Sequence, residues 1–156
     1  MTEKIKAYIA GFLDGDGSVY VRIKPHEGYK YKFQISPYIV FYQAKKNRLI
    51  LKYLKDKMQV GYIRDRNDGI CEYIIGDLNS IEKFIKWIGP YTILKRKQIK
   101  LMSKILQKKR NVKSVNSFLE LCRFIDKFKK LNYSKKRRNT ENQVRKVLKQ
   151  RNLLTP

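Results

Sequence analysis

Residues 7–24, AYIAGFLDGDGSVYVRIK, set Asp14 and Asp16 one residue apart among glycines, at the point where helical spacing of apolar residues gives way to alternation. Carboxylates at the C-terminal end of a helix sit at the negative pole of its dipole, where a cation is preferred. An ordinary Asp-Gly turn is one account of the pair. A cation site is the other. A calcium loop of the EF-hand kind needs further oxygen ligands and a glutamate at its twelfth position, but Ser18 and Pro25 stand there. A hard divalent ion held by one carboxylate, a main-chain carbonyl, waters and phosphate oxygens fits better, because Mg2+ takes few protein ligands.

The helix that carries these acids has a stripe without bulk, since Ala7, Gly11 and Gly15 recur every four residues. Glycine inside a helix costs about 1 kcal/mol relative to alanine, so it needs a packing reason. Close crossing with a second helix is one, and accommodation of another element of the same chain is the other. If the partner were the same helix of a second copy, related by a two-fold axis, the acids of the two copies would stand side by side.

The elements around the acids follow from periodicity. Ile5, Tyr8, Ile9, Phe12 and Leu13 predict a helix from Thr2, as N-cap, to about Asp14. Residues 18–24 alternate as a half-buried strand, residues 25–28 turn, and residues 30–43 alternate again, which predicts a long antiparallel hairpin. Leu49, Ile50, Tyr53, Leu54 and Met58 mark a helix capped near Asn47 and stopped by Gly61. A second hairpin joins residues 60–66 to 71–75 through Asn67, Asp68 and Gly69. Leu78, Ile81, Phe84, Ile85 and Ile88 give the next helix, ended by Gly89 and Pro90. Three more helices fit residues 95–109, 117–131 and 140–151, with capping boxes at Ser117/Glu120 and Thr140/Gln143. Runs of hairpins and helices in this order predict an α+β fold, with helices on one face of a four-stranded antiparallel sheet, in a single domain over residues 1–156.

Strict alternation puts Arg22, Lys24, Lys32, Gln34, Ser36, Tyr38, Arg64, Arg66 and Glu72 on the other face of that sheet. A solvated strand face mixes its charges, whereas this one is nearly all cationic or amide. The chain has 37 Lys and Arg against 13 acidic residues, a net charge of +24 spread along its length, which draws polyanions. Two-stranded ribbons fit the major groove, where Arg and Lys pair with guanine, Gln with adenine, and Glu accepts from cytosine. Nucleic acid, DNA or RNA, is the partner these features point to, and the ribbon geometry suits double-stranded DNA. No apolar run reaches membrane-spanning length and no secretion signal is seen, so an intracellular protein with no membrane partner is expected. Cys71 and Cys122, far apart, read as buried thiols of a reducing compartment rather than zinc ligands. His26, in a Pro-His-Glu-Gly turn, is given no role.

The segment IAGFLDGDG, residues 9–17, resembles the signature of the LAGLIDADG homing endonucleases, with Ile9 opening it, Phe12 and Leu13 replacing Leu-Ile, and Gly15 replacing Ala. GYIRDR, PYTILKRKQ and NYSKKRRNT further on are similar to the single-motif members, so the likeness covers essentially the whole chain. It implies an αββαββα core followed by C-terminal helices, and a homodimer joined by the motif helix through Ala7, Gly11, Asp14 and Gly15. The sheets of such a dimer form a saddle over a long, nearly palindromic DNA site. By the same likeness Asp16 and the Gly15 carbonyl bind Mg2+, with Mn2+ or Ca2+ able to occupy the site, and Asp14 closes the helix end. Gln43 organises water, Lys95 stabilises charge at the scissile phosphate, and Arg48 stands for the family's arginine. The basic loop at residues 132–139, through Ser134, Lys135 and Arg138, is expected to hold phosphates.

The function expected is therefore a metal-dependent, site-specific DNA endonuclease that makes double-strand breaks and promotes mobility of an intron-like element. The rival is a non-cleaving RNA maturase or a DNA-binding repressor of the same fold. Retention of Asp16 argues against that rival, because an acid beside phosphates weakens binding. Richness in Lys, Ile, Asn and Tyr fits an A/T-rich genome such as that of a mitochondrion or chloroplast.

Overall fold

The computed structural model describes residues 1–134 and 139–154. In chain order the elements are α1 (Glu3–Asp16), β1 (Gly17–Pro25), β2 (Phe33–Ala44), α2 (Arg48–Met58), β3 (Tyr62–Asp65), β4 (Ile70–Ile75), α3 (Leu78–Ile88), α4 (Arg96–Arg110), α5 (Val115–Asp126), α6 (Phe128–Leu131) and α7 (Glu141–Gln150). The strands form one sheet in the order β1-β2-β4-β3, in which β4 runs antiparallel to both β2 and β3. The contacts of the chain fall into two compact units, Met1–Tyr20 with Pro37–Ile99, and Val21–Ser36 with the chain from Lys100 onward.

In the first unit the helix-facing side of the sheet is the core. Phe41 stacks on Tyr73 with centroids 5.5 Å apart, and Phe84 of α3 meets Phe41 edge-on at 6.0 Å. Ile9, Leu13, Ile39, Leu51, Leu54, Met58, Ile75, Ile81 and Ile88 are fully buried in the same unit, each worth roughly 1.5–3 kcal/mol of transfer from water. Tyr73 can be buried because its hydroxyl donates to the Val60 carbonyl at 2.9 Å. The start of α3 is set by Asp77, whose carboxylate accepts from the Ser80 N–H at 2.8 Å, satisfying one of the donors a helix start leaves over. Thr2 caps α1 in the same way, accepting from the Ile5 N–H.

In the second unit, Val21, Ile23, Phe33 and Ile35 of the outer hairpin are buried, as are Phe118, Leu119, Leu121, Cys122 and Ile125 of α5 and Val144 and Leu148 of α7. Tyr31 stacks on Phe118 at 4.9 Å. The Asn139 amide donates to the Ile23 carbonyl at 2.8 Å, and Thr140 and Gln143 form the capping box that opens α7.

Several boundaries differ from those read in the sequence. The strand expected from residue 30 begins at Phe33, because Lys32 has a φ of 60° and closes the turn, its carbonyl accepting from the His26 N–H at 2.8 Å. α2 is terminated by Gln59 in the left-handed conformation, not by Gly61. Gly61 has a separate duty: at φ 73°, a Cβ there would lie 2.3 Å from the Ile74 carbonyl oxygen. Asn47 stands at the N-cap of α2 but makes no side-chain capping bond. α5 starts one turn earlier than the Ser117/Glu120 pattern suggests, since Ser114 is the N-cap and Ser117 completes the box. Glu120 instead pairs with Lys108 at 2.7 Å. The helix expected over residues 117–131 is broken at Lys127 into α5 and α6.

Candidate active site and nucleic-acid interface

The end of α1 is fixed by Gly17. Its N–H bonds the Leu13 carbonyl, and a Cβ there would lie 2.5 Å from Leu13 Cδ1 and 2.8 Å from the Leu13 oxygen. Only glycine lets the chain pass this close and turn directly into β1. Asp16 is therefore the last helical residue, and it is exposed. Near the end of β2, Gln43 reaches it, with Nε2 donating to Asp16 Oδ2 at 2.9 Å. Asn47 Nδ2 in turn donates to Gln43 Oε1 at 3.3 Å. An amide presents a donor on one side and an acceptor on the other, so Asn47 determines which side of Gln43 faces the carboxylate.

Asp14 is spent differently. Its Oδ2 accepts from the N–H groups of Ile93 and Leu94 at 2.7 and 3.0 Å, and its Oδ1 from that of Lys95 at 2.9 Å. The Lys95 carbonyl accepts the first bond of α4, from Ile99, so Asp14 satisfies amides at the positive start of that helix. The Lys95 ammonium returns to α1, donating to the Asp14 carbonyl at 2.7 Å. It is thus a cation at the negative pole of α1, where Asp16 also stands. Burial pulls the Lys95 pKa below the ordinary lysine value, while the charges of Asp14 and Asp16 act against that fall.

Arg48 is directed elsewhere, with Nε donating to Asp65 Oδ1 at 3.1 Å. That bond and the Asp65 charge raise the Arg48 pKa, and hydrogen bonds from Cys71 and Arg48 hold the Asp65 carboxyl below its usual range. Asn47, which no sequence periodicity marks, is the residue in this region that is bonded to the Asp16–Gln43 pair.

Among the described residues no three His, Cys, Asp or Glu side chains gather as a metal cage. Gln43 occupies one oxygen of the exposed Asp16 carboxylate, and the neighbouring Gly15 is exposed as well. A donor set of one carboxylate and one carbonyl per chain suits a hard ion such as Mg2+, which keeps waters and takes substrate oxygens. It does not suit zinc, which prefers several Cys or His ligands.

The residues expected to meet DNA fall in both units. In the first, Tyr38 packs on Tyr20 at 5.3 Å. On the paired strands β3 and β4, Arg64 stands opposite Glu72, with Nε and Nη2 at 2.9 and 2.5 Å from Glu72 Oε2. Glu72 is only 5% exposed and also takes Arg66 Nη1 at 3.5 Å; it is an ion-pair partner of two arginines rather than an acid presented to cytosine. Between the charged rows the same face carries the cross-strand row Val40, Ile74 and Tyr62, so it is less uniformly polar than alternation suggests. In the second unit Arg22 is exposed, Lys24 and Gln34 are half-buried, and Ser36 is buried. Lys32 lies in the turn, not on a strand, and its ammonium donates to the Glu27 carbonyl at 3.1 Å. Ser134 is exposed, whereas Lys135 and Arg138 lie outside the described residues.

A helix that ends on an exposed carboxylate, with an amide and an ammonium at the same end, suits chemistry on a phosphodiester in a chain whose net charge of +24 draws nucleic acid. The chain belongs to the LAGLIDADG endonuclease family, whose model matches residues 9–105. It is 39% identical to the DNA endonuclease I-CreI of Chlamydomonas reinhardtii over 90% of this chain and 86% of that one. With the DNA endonuclease I-CvuI of Chlorella vulgaris the identity is 32%, over 92% and 89% of the two chains. A crystal structure of I-CvuI in complex with the I-CreI target in the presence of magnesium, with the DNA not cleaved, superposes with a TM-score of 0.92 over 98% of each chain. Those relatives carry the α+β fold and the single-motif homing-endonuclease class to this chain.

Proposed function

We propose that two copies of this chain, paired through α1, act as a homing endonuclease that makes a double-strand break in a long, pseudo-palindromic DNA site. Pairing is supported by Gly11 and Gly15, where a Cβ would meet nothing of the same chain within 4 Å. Accommodation of a neighbouring element in the same chain does not account for those glycines. A second copy would also bring a second Asp16, doubling a donor set that is sparse in one chain.

In this reading Asp16 and the Gly15 carbonyl hold a divalent ion, Mg2+ with Mn2+ or Ca2+ as substitutes, which supplies Lewis-acid stabilisation of the phosphate oxygens. Gln43, its amide fixed by Asn47, orients water toward phosphorus. The water oxygen bonds to phosphorus as the bond to the 3′ oxygen breaks, the water giving up a proton to solvent and the 3′ oxygen taking one from solvent to leave as a hydroxyl. Lys95 offsets the negative charge that accumulates on the phosphate as this happens. Arg48, paired with Asp65, is left out of this chemistry. Arg22, Lys24, Gln34, Tyr38, Arg64 and Arg66 read or hold the duplex, and the basic loop from Ser134 holds phosphates. The Asp16–Gln43 hydrogen bond, made at the end of α1 where Lys95 also stands, is the observation that carries this mechanism. The algal source of two relatives and the Lys-, Ile-, Asn- and Tyr-rich composition favour an organelle-encoded origin.

The test is cleavage of a pooled plasmid library of randomised palindromic sites with Mg2+, with EDTA and Asp16→Asn as controls and the ends sequenced. Defined double-strand breaks at related sequences, lost in both controls while Asp16→Asn still binds, are expected. Tight selective binding without breaks would instead favour the maturase or repressor.

A further inference from the structure

The β3–β4 turn holds a carboxylate that the mechanism does not use. Asp68 Oδ1 accepts from the Ile70 N–H at 3.3 Å, and its Oδ2 accepts from Arg66 Nη2. One oxygen is anchored by the backbone of the turn; the other holds the guanidinium. Arg66 Nη1 meanwhile reaches Glu72, so each terminal nitrogen of Arg66 has an acid beside it. The turn is cut for this: Gly69 takes a φ of 81°, and the Arg66 N–H closes it on the Ile70 carbonyl at 2.8 Å. Arg66 and Asp68 stay about half exposed, at 43% and 51%.

We propose that Asp68 is a specificity-determining residue, which aims Arg66 at a base edge and keeps it off phosphates. The argument rests on the DNA-cutting reading above. A guanidinium has five N–H donors, and two of Arg66's are directed to carboxylates, which fixes its plane while leaving donors for a ligand. Guanine offers neutral acceptors at O6 and N7, which the adjacent Asp68 charge does not repel. A phosphate is anionic and is repelled. Arg64 differs, since it is committed through two nitrogens to one oxygen of the buried Glu72 and has no turn acid of its own. Asp68 therefore lowers affinity for DNA in general while sharpening choice at one symmetric pair of base positions.

The experiment measures binding of duplexes substituted at each base pair in turn, in an Asp16→Asn background so that bound DNA stays intact. Asp68→Asn is expected to tighten binding to unrelated duplex severalfold and to steepen the salt slope by about one unit, as Arg66 turns to a phosphate. At one symmetric pair of positions it is expected to lower discrimination roughly tenfold. Asp68→Ala should do the same, and Asp68→Glu, which keeps the charge, should retain most of the preference. Thermal melts of each variant show whether the hairpin is intact. Unchanged base preference in both Asp68→Asn and Asp68→Ala overturns the inference, as does equal weakening on every sequence. A parent chain with no base preference at any position overturns the site-specific reading itself.

Discussion

At the scale of single residues, the two acids of the opening motif separate into different jobs. Asp14 is saturated by three consecutive amides, whereas Asp16 is exposed and shares one oxygen with Gln43. Their spacing is legible in the sequence; their division of labour is not, because it depends on the segment at residues 93–95, which lies 79 to 81 positions from Asp14. Asn47 illustrates the same limit. It is polar, lies in the 3-10 turn Lys45–Asn47 and reads in the sequence only as the cap of α2, yet it bonds the amide beside Asp16. Asn47→Ala frees that amide to rotate, and single-turnover cleavage is expected to fall by roughly 10–100-fold, the usual cost of removing a residue that orients a ligand. Duplex binding by the same variant should be unchanged, and a parallel loss of binding would show that Asn47 acts on DNA instead.

At the scale of elements, caps and turns decide where helices begin, and the sequence offers more of them than the fold uses. Both Ser114 and Ser117 are plausible starts for α5, and the earlier one is used: Ser117 closes the box while Phe118, Leu121 and Cys122 are buried. At α3 the earliest of Asp77, Asn79 and Ser80 is the one used as cap. Burial alone would raise the Asp77 pKa, but hydrogen bonds from the Ser80 hydroxyl and from the backbone of Ser80 and Asn79 outweigh this and hold it below the ordinary value of 3.8. A carboxyl depressed in the folded state contributes stability that is present above its unfolded pKa and is lost as pH falls through the folded one. Asp77→Ala is expected to cost about 1 kcal/mol at pH 7. That difference should shrink once the pH is well below 4, and urea unfolding at neutral and acid pH measures both. An equal loss at both values would mean that packing, not the charged cap, is what the substitution removes.

At the scale of the whole molecule, the proposed pairing rests on the stripe Ala7, Gly11 and Gly15, which is exposed in one chain. Gly11→Leu puts a side chain where no atom of its own chain stands within 4 Å. The fold should survive, and replacing glycine within a helix even favours α1 by up to about 1 kcal/mol. Sedimentation is expected to report a monomer, with double-strand cleavage lost. A Gly11→Leu chain that still sediments as a dimer would refute pairing through α1.

The sequence by itself determined the class of this protein. The spacing of acids and glycines, the period-two and helical runs, and the +24 charge are local or additive properties, and the motif at residues 9–17 is contiguous. It also marked the β3–β4 turn, since Asn67, Asp68 and Gly69 state their own geometry. Only the tertiary structure decided which acid is structural, that Arg48 turns to Asp65, that Glu72 is buried between arginines, and that Asp68 holds Arg66. The first three depend on which side chain a strand pairing or a distant helix start brings within 3 Å or so, and the last on how one turn folds back on itself; hydrogen bonds at that range follow from three-dimensional geometry rather than from periodicity along the chain.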